Sequence, residues 1–530
     1  MSRTLVGTGR LMRFILRRDR FLLPGWVLWL SIVPMAAASG FKALYPTDVA
    51  LATAARDLDT NPAFRAMFGP VYGANLGSLI AWRSSIILVI IAILSALTVI
   101  RHTRVEEETG RRELVGSTVI GRHAPLAAAL AVVALAGVAA GLLIALGVAS
   151  QGIPLAGSIA LGVQMAAAGI IGVAIGALAA QLTESAGGAR AIALSVIGLA
   201  YGIRAAGDAG DIGWLSWLSP IGWLQRLRPF GGEQWWVLVL ALALIGAVVA
   251  AAFWLISRRD IGGGVFPSRL GPPTAADHLS TPLGLAWRIH RNVLGGWAAG
   301  LFVLGVIYGG VAESIGKLIE DNPQMRDIFD RLGGGASLII DLYLASVMGL
   351  LALLTSAYAI QAALRMRVEE ESMRAEPILA TSVSRLRWIG AHLVFAFGGP
   401  VAVLAAWSLS VGVTYGIVAG DVAGQVPRVL GAALAQLPAV WVLASITVAL
   451  FGLAPHLTRG GWVVYGAVVF IMFIGAILNL GQWFMNLSPF THIPKLPGGS
   501  FALTPLAVLA VVASIMAAAG VVGFQQRDVE

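Results

Sequence analysis

The sequence predicts an all-α polytopic membrane protein of about twelve transmembrane helices, arranged as two parallel six-helix repeats. Three observations carry this. Of 530 residues, 58% are hydrophobic and only 12% charged, with mean hydropathy +0.83, too little charge to cover a soluble surface of this size. Apolar stretches of about 20 residues, the length that crosses a bilayer core, recur along the whole chain. Landmarks of the first half return in the same order in the second at a nearly constant offset.

Residues 1–20 carry six Arg and one Asp. Leu11, Phe14 and Ile15 share a helical face bordered by Leu16, while Arg13, Arg17 and Arg20 lie elsewhere, which predicts a basic amphipathic elbow helix on the membrane surface. The apolar run from Phe21 is long enough to remain a span, so no cleavable signal peptide is expected. Spans are expected at 21–41, 79–100, 123–150, 156–181, 190–206 and 235–257. The Trp-rich segment Trp214 to Trp223 is too apolar for a free loop and too short to cross, and predicts a re-entrant or surface-lying hairpin at the outer interface.

The stretch 258–281, with Gly262 to Gly264 and Pro272-Pro273, reads as an aqueous linker. It divides a first permease repeat, 1–257, from a second, 282–530. Arg17, Arg20 and Trp26 match Arg288, Arg291 and Trp297. Asn61-Pro62, Arg65 and Phe68 match Asn322-Pro323, Arg326 and Phe329. Leu218 to Pro220 match Leu487 to Pro489, and Arg259-Asp260 matches Arg527-Asp528. Spans of the second repeat are expected at 293–312, 338–363, 389–417, 428–455, 462–479 and 501–522.

With the N-terminus inside, the inner side holds 24 of the 36 Lys and Arg, against 12 outside. The positive-inside rule therefore places both termini in the cytoplasm. The formal charge of +9 is a topology signal and calls for no nucleic acid. Arg outnumbers Lys 33 to 3, the composition of a high-GC bacterial genome.

The most informative stretch occurs twice, 263 residues apart: Arg104 to Glu113, with Glu106, Glu107 and Glu108, and Arg367 to Glu376, with Glu369, Glu370 and Glu371. At the same offset Thr118 matches Thr381 and Arg122 matches Arg385. Three adjacent carboxylates between two spans cannot sit in lipid. A short helix parallel to the membrane is expected in each loop, with the Glu cluster in the first turn, where the helix dipole favours anions. Glu107 is expected to face Arg111, Glu108 to face Arg112, and Glu370 to face Arg374 at i, i+4. The outward face would offer Glu106, Glu107, Glu108, Arg111, Arg112, Glu113, Glu369, Glu370, Glu371, Arg374 and Glu376 to a partner.

Enzymatic readings are weak. With no cysteine there is no thiol nucleophile, and the seven His form no HExxH pair. Three adjacent Glu on a helix point in different directions. No GxxxxGK[ST] is present, so any ATP that drives this protein must be bound by another chain.

Through Glu106 to Leu114, and through Glu369 to Glu371 with Arg374, Glu376 and Ala380 to Arg385, the chain resembles permeases of the type-2 ABC exporter superfamily. More narrowly it is similar to the fused, double-length permeases described as exporters of polyketide antibiotics in high-GC Gram-positive bacteria. The likeness extends over the whole chain through the order elbow helix, coupling helix and outer hairpin. The second copy departs from the pattern at Met373 and Ala375. The resemblance implies a permease in the bacterial cytoplasmic membrane that exports amphiphilic drugs or antibiotics. It implies two copies of a separate ABC ATPase docked at the Glu-rich coupling helices, with ATP and Mg on the partner and no cofactor in this chain. It also implies that spans two and five of each half line the path. Trp82, Arg83, Ser84 and Ser85, and in the second half Asp341, Tyr343 and Ser346, are the candidate path residues. Arg83 and Asp341 lie near outer span ends, where they would reach water or pair with each other. A proton-coupled secondary drug transporter of twelve spans and a lipid-exporting ABC permease are the competing functions.

Overall fold

The computed structural model describes residues 3–116, 119–260, 262–266, 273–320, 335–472 and 481–528. Among these, eleven helices are long and apolar enough to cross a membrane, and the chain is an all-α polytopic membrane protein. It divides into two compact units, Met1–Gly271 and Pro272–Glu530.

The first unit opens with the elbow helix α1 (Thr8–Arg18), started after Gly7 in the left-handed region. It buries Ile15 and leaves Phe14, Leu16 and then Phe21 exposed. The chain turns at Asp19, which is itself buried, into α2 (Leu22–Leu44). The polar connection that follows folds as α3 (Asp48–Thr60) and α4 (Pro62–Phe68). Next comes α5 (Leu76–His102), capped by Asn75, whose side chain accepts from the Ser78 amide at 2.9 Å. Two short helices, α6 (Arg104–Glu108) and α7 (Arg111–Gly116), precede α8 (Ala124–Ala149), α9 (Leu155–Leu182) and α10 (Ala186–Ala209). The Trp-rich segment forms α11 (Gly213–Trp217) and α12 (Pro220–Gln225), and α13 (Val237–Arg258) ends the unit's spans. Each of the six expected spans is thus matched by a helix.

Helices α8 and α9 approach so closely at Gly141 and Gly162 that a Cβ on either would strike the other's backbone. In a chain whose lipid-facing and buried surfaces are equally apolar, small residues at such crossings supply the packing contacts that hold helices together.

In the second unit the elbow segment and first span run together as α14 (Pro282–Glu320). The aligned position of the buried turn residue Asp19 is His290, which lies within this helix. Then follow α15 (Gly335–Glu371) and α16 (Ala375–Leu379). The next span comprises α17 (Arg385–Leu393), a π-helical turn over Val394–Gly398, and α18 (Gly399–Ala419). The wide turn frees the Phe395 carbonyl to accept from the buried Tyr358 hydroxyl at 3.2 Å. Helices α19 (Val422–Leu434) and α20 (Leu437–Leu453) form one further span. The expected span 462–479 is described only as α21 (Gly461–Phe470), continued to Met472; its remainder lies outside the described residues, as does the Asn322 to Phe329 landmark. The segment before the last span contributes α22 (Gln482–Met485) and a 3-10 turn at Pro489–His492, and α23 (Leu503–Gln526) closes the unit.

Candidate functional site

Both Glu clusters sit where a long span ends, but not as free surface helices. In the first repeat α5 breaks at Thr103, whose hydroxyl donates back to the Val99 carbonyl at 2.7 Å, and the cluster occupies α6. In the second repeat the helix does not break: Glu369 to Glu371 are the last turn of α15. The expectation of a helix N-terminus there is corrected, and the helix dipole at that end opposes the carboxylates instead of favouring them. Guanidinium groups make up the difference.

Glu107 is 7% exposed. Arg104 donates to its Oε2 at 2.6 Å, and Arg259 grips both oxygens at 2.8 Å each. Arg112 also reaches it. Arg259, just beyond α13, further donates from Nε to Gln181 Oε1 at 2.7 Å and to the Gly263 carbonyl at 2.9 Å. Arg104 donates to the Gly262 and Gly263 carbonyls, and Arg122 to the Arg259 carbonyl at 2.6 Å. One buried carboxylate therefore ties α6 to the ends of α9 and α13 and to the start of the linker. Glu106 takes Arg18 of the elbow helix at 2.6 Å and Arg111 at 3.4 Å. Glu108 accepts from the Ala186 amide at the start of α10.

The second repeat rebuilds the core of this arrangement. Glu370, 3% exposed, pairs with Arg367 at 3.0 Å and is gripped by Arg527 at 2.6 and 2.9 Å. Arg385 donates to the Arg527 carbonyl at 2.6 Å. Glu107, Arg104, Arg122 and Arg259 of one repeat thus correspond to Glu370, Arg367, Arg385 and Arg527 of the other. Glu369, 5% exposed, pairs with Arg365 and Arg374, and Glu371 with Arg367 and Arg459.

Two expectations are therefore corrected. Glu107, Glu369 and Glu370 face inward. The facing pairs are also shifted by one residue: Glu106 meets Arg111, Glu107 meets Arg112, and Glu369 meets Arg374. The cause is a left-handed residue at the same point of each loop, Gly110 at φ 71° and Met373 at φ 55°. A left-handed residue ends the helical register, so i, i+4 spacing no longer holds across it. Glu108, Arg111, Glu113, Glu371, Arg374 and Glu376 remain exposed, and Met373 is exposed beside them.

Burial of this kind is costly unless each charge is paired and hydrogen-bonded. Burial pushes the guanidinium of Arg259 down to about 10. Arg112 is likewise pushed down to about 10, by burial and then by the neighbouring cations Arg259, Arg122 and Arg104. Arg374 moves upward, chiefly through its hydrogen bond to Glu369. All three stay charged at neutral pH.

The candidate path residues are spread among structural roles. Trp82 Nε1 donates to the Gly69 carbonyl at 3.0 Å, and its ring packs on Phe68. Arg83 lies 4.9 Å over the Phe68 ring. Ser84 and Ser85 are buried; Ser85 bonds back to the Ala81 carbonyl and lines a small cavity with Trp82, Gln164 and Gln225. Asp341 pairs with Arg428 of its own repeat at 2.5 Å. The Tyr343 hydroxyl donates to the Tyr308 carbonyl, and Ser346 to Leu342.

In the sequence Arg122 with Arg385 and Arg259 with Arg527 stand only as repeat landmarks, and their recurrence is the signal that they belong to the site. Arg18, Arg365, Arg459 and Gln181 carried no such signal.

The fold and the duplicated arginine-locked carboxylates define a polytopic helical membrane protein with the same charged junction at the base of each repeat. Residues 279–525 match the family described as the C-terminal domain of the multidrug efflux system permease Rv1217c. The multidrug efflux system permease protein Rv1217c of Mycobacterium tuberculosis (strain ATCC 25618 / H37Rv) is 42% identical over 525 residues, covering 99% of this chain and 95% of that protein. The chain belongs to this family of permeases.

Proposed function

We propose that the chain is the membrane permease subunit of an ATP-driven exporter of amphiphilic drugs or antibiotics in the bacterial cytoplasmic membrane. Both termini, both Glu clusters and the linker face the cytoplasm. Two copies of a separate ABC ATPase, carrying ATP and Mg, dock at α6–α7 and at the end of α15 with α16. The full-length likeness to a protein named as a multidrug efflux permease supports the cargo class.

The observation that carries the coupling role is the repeated lock of Glu107 by Arg259 and of Glu370 by Arg527. In this reading two sets of residues divide the work. Glu108, Arg111, Glu113, Glu371, Met373, Arg374 and Glu376 form the exposed socket. Glu107 and Glu370 make each socket rigid with the last span of its repeat, so that a push on the loop moves that span. Asp341, the carboxylate that the competing proton-coupled reading would use, pairs with Arg428.

The test is co-purification of the neighbouring ATPase with Glu113→Arg/Glu376→Arg. Loss of at least about tenfold of the bound ATPase with intact membrane insertion is expected, since each reversal costs roughly 1 kcal/mol or more across a charged interface. Undiminished co-purification would overturn the socket. Efflux in a sensitive host should require the ATPase and survive collapse of the protonmotive force.

A further inference from the structure

A groove of about 70 Å³ opens between the elbow helix α1 and the junction of α5 with α6. Leu11 and Phe14 of α1, with Leu126 and Ile256, make its walls apolar. Arg18, Arg111 and Arg112 line it too, with Glu106 among them.

The charge around this groove does not balance. Five guanidiniums, those of Arg18, Arg104, Arg111, Arg112 and Arg259, share two carboxylates, Glu106 and Glu107. Glu108, which accepts from the Ala186 amide, and Glu184 lie on the Arg104 side, away from the groove lining, and Asp19 is held by Arg101 and His102. The crowding is visible in Arg112, pushed down to about 10 by burial and by three other arginines. An additional anion at the groove would relieve this repulsion. Arg111 is the group best placed to receive one, because its side chain is 55% exposed and its contact with Glu106 is long, at 3.4 Å.

The apolar walls decide what kind of anion fits. Inorganic phosphate would leave them wet. Phe14, Leu16 and Phe21 are exposed on and just after α1, on an elbow helix of the kind that lies at the membrane surface.

We propose that this groove binds an anionic phospholipid of the leaflet in which α1 lies, with its phosphate on Arg111, Arg18 and Arg112 and an acyl chain against Leu11, Phe14 and Leu126. Under the topology proposed above that leaflet is the cytoplasmic one, where anionic headgroups meet juxtamembrane arginines. The lipid would bridge the elbow helix and the coupling segment, and so bear on the stiffness of the first socket. The second repeat carries Ala375 where the first has Arg112, which makes the two sockets chemically unequal.

The test uses the purified full-length chain, without ATPase or nucleotide, exchanged into nanodiscs of phosphatidylcholine with a minor share of phosphatidylglycerol. Native mass spectrometry reads retained phosphatidylglycerol. Arg111→Ala should lower retention by about tenfold or more, the factor for losing one hydrogen bond to a charged group. Arg13→Ala, on the same helix but outside the groove, should leave it unchanged. On the wild-type chain, phosphatidylglycerol with a photoreactive acyl chain should label the peptides containing Phe14 or Leu126. Equal loss in both variants would mean general surface attraction and overturn the site. Equal labelling by photoreactive phosphatidylcholine would overturn the anionic requirement. Because neither readout involves transport, failure here leaves the exporter reading untouched.

Discussion

Arg259 holds both carboxylate oxygens of Glu107 at 2.8 Å, across 152 residues of chain. Arg527 holds Glu370 in the same way across 157. A planar guanidinium matches a carboxylate bidentately, which fixes direction as well as distance. The final span is thereby keyed to α6, just after the second span, in the first repeat and to the last turn of α15 in the second.

Arg259→Ala leaves Glu107 paired with Arg104 and Arg112 but removes the bidentate contact and the bonds to Gln181 and the Gly263 carbonyl, and should destabilise the first repeat by about 1–2 kcal/mol. Arg259→Lys should recover only part of this, because a single ammonium cannot make the bidentate contact. Thermal unfolding of the purified protein checks both, and equal stability of all three proteins would deny the lock a structural role.

Gly110 and Met373 occupy the same left-handed position of their loops. Gly110→Ala should cost about 1 kcal/mol through its backbone alone, since no atom lies within 4 Å of the added Cβ. Met373→Gly should stabilise the second loop by about 1 kcal/mol, by relieving a conformation that β-carbon sterics disfavour. Opposite shifts in melting temperature are expected from the two variants.

Glu107→Gln with Glu370→Gln keeps the shape of both locks and removes their charge. Under the proposed function this variant should still capture the ATPase through the exposed residues, yet export drug several-fold more slowly. A variant that loses the ATPase altogether would place the buried carboxylates in the docking surface itself.

Asp341→Asn weakens an ion pair whose Arg428 side chain is 39% exposed, so the loss in stability should be no more than about 1 kcal/mol. Drug efflux should persist. Abolition of efflux with normal expression would favour proton coupling through this carboxylate.

Gly141→Leu forces α8 from α9 where their backbones meet. Overpacking of this kind costs roughly 1–3 kcal/mol, and lower yield of folded protein in detergent is the expected reading.

The spans were legible because hydropathy is a local property. Ala124–Ala149 and Leu155–Leu182 lie within a residue or two of the expected 123–150 and 156–181. The second elbow was less so: nothing in its apolar pattern distinguishes a helix that bends before the membrane from α14, which continues into it. In the first repeat that bend rests on buried Asp19, held by His102 at 2.6 Å from another helix.

The sequence by itself determined a membrane protein built from two similar halves, and the recurrence of a Glu cluster at the base of each. Composition, span length and offset are read along the chain and need no third dimension. Only the tertiary structure decided that Glu107 and Glu370 turn inward, and which arginines meet them. Their partners Arg259 and Arg527 come from distant spans, and one left-handed residue per loop moves every local pair by one position. Both effects depend on where helices end and pack, which the one-dimensional charge pattern leaves open.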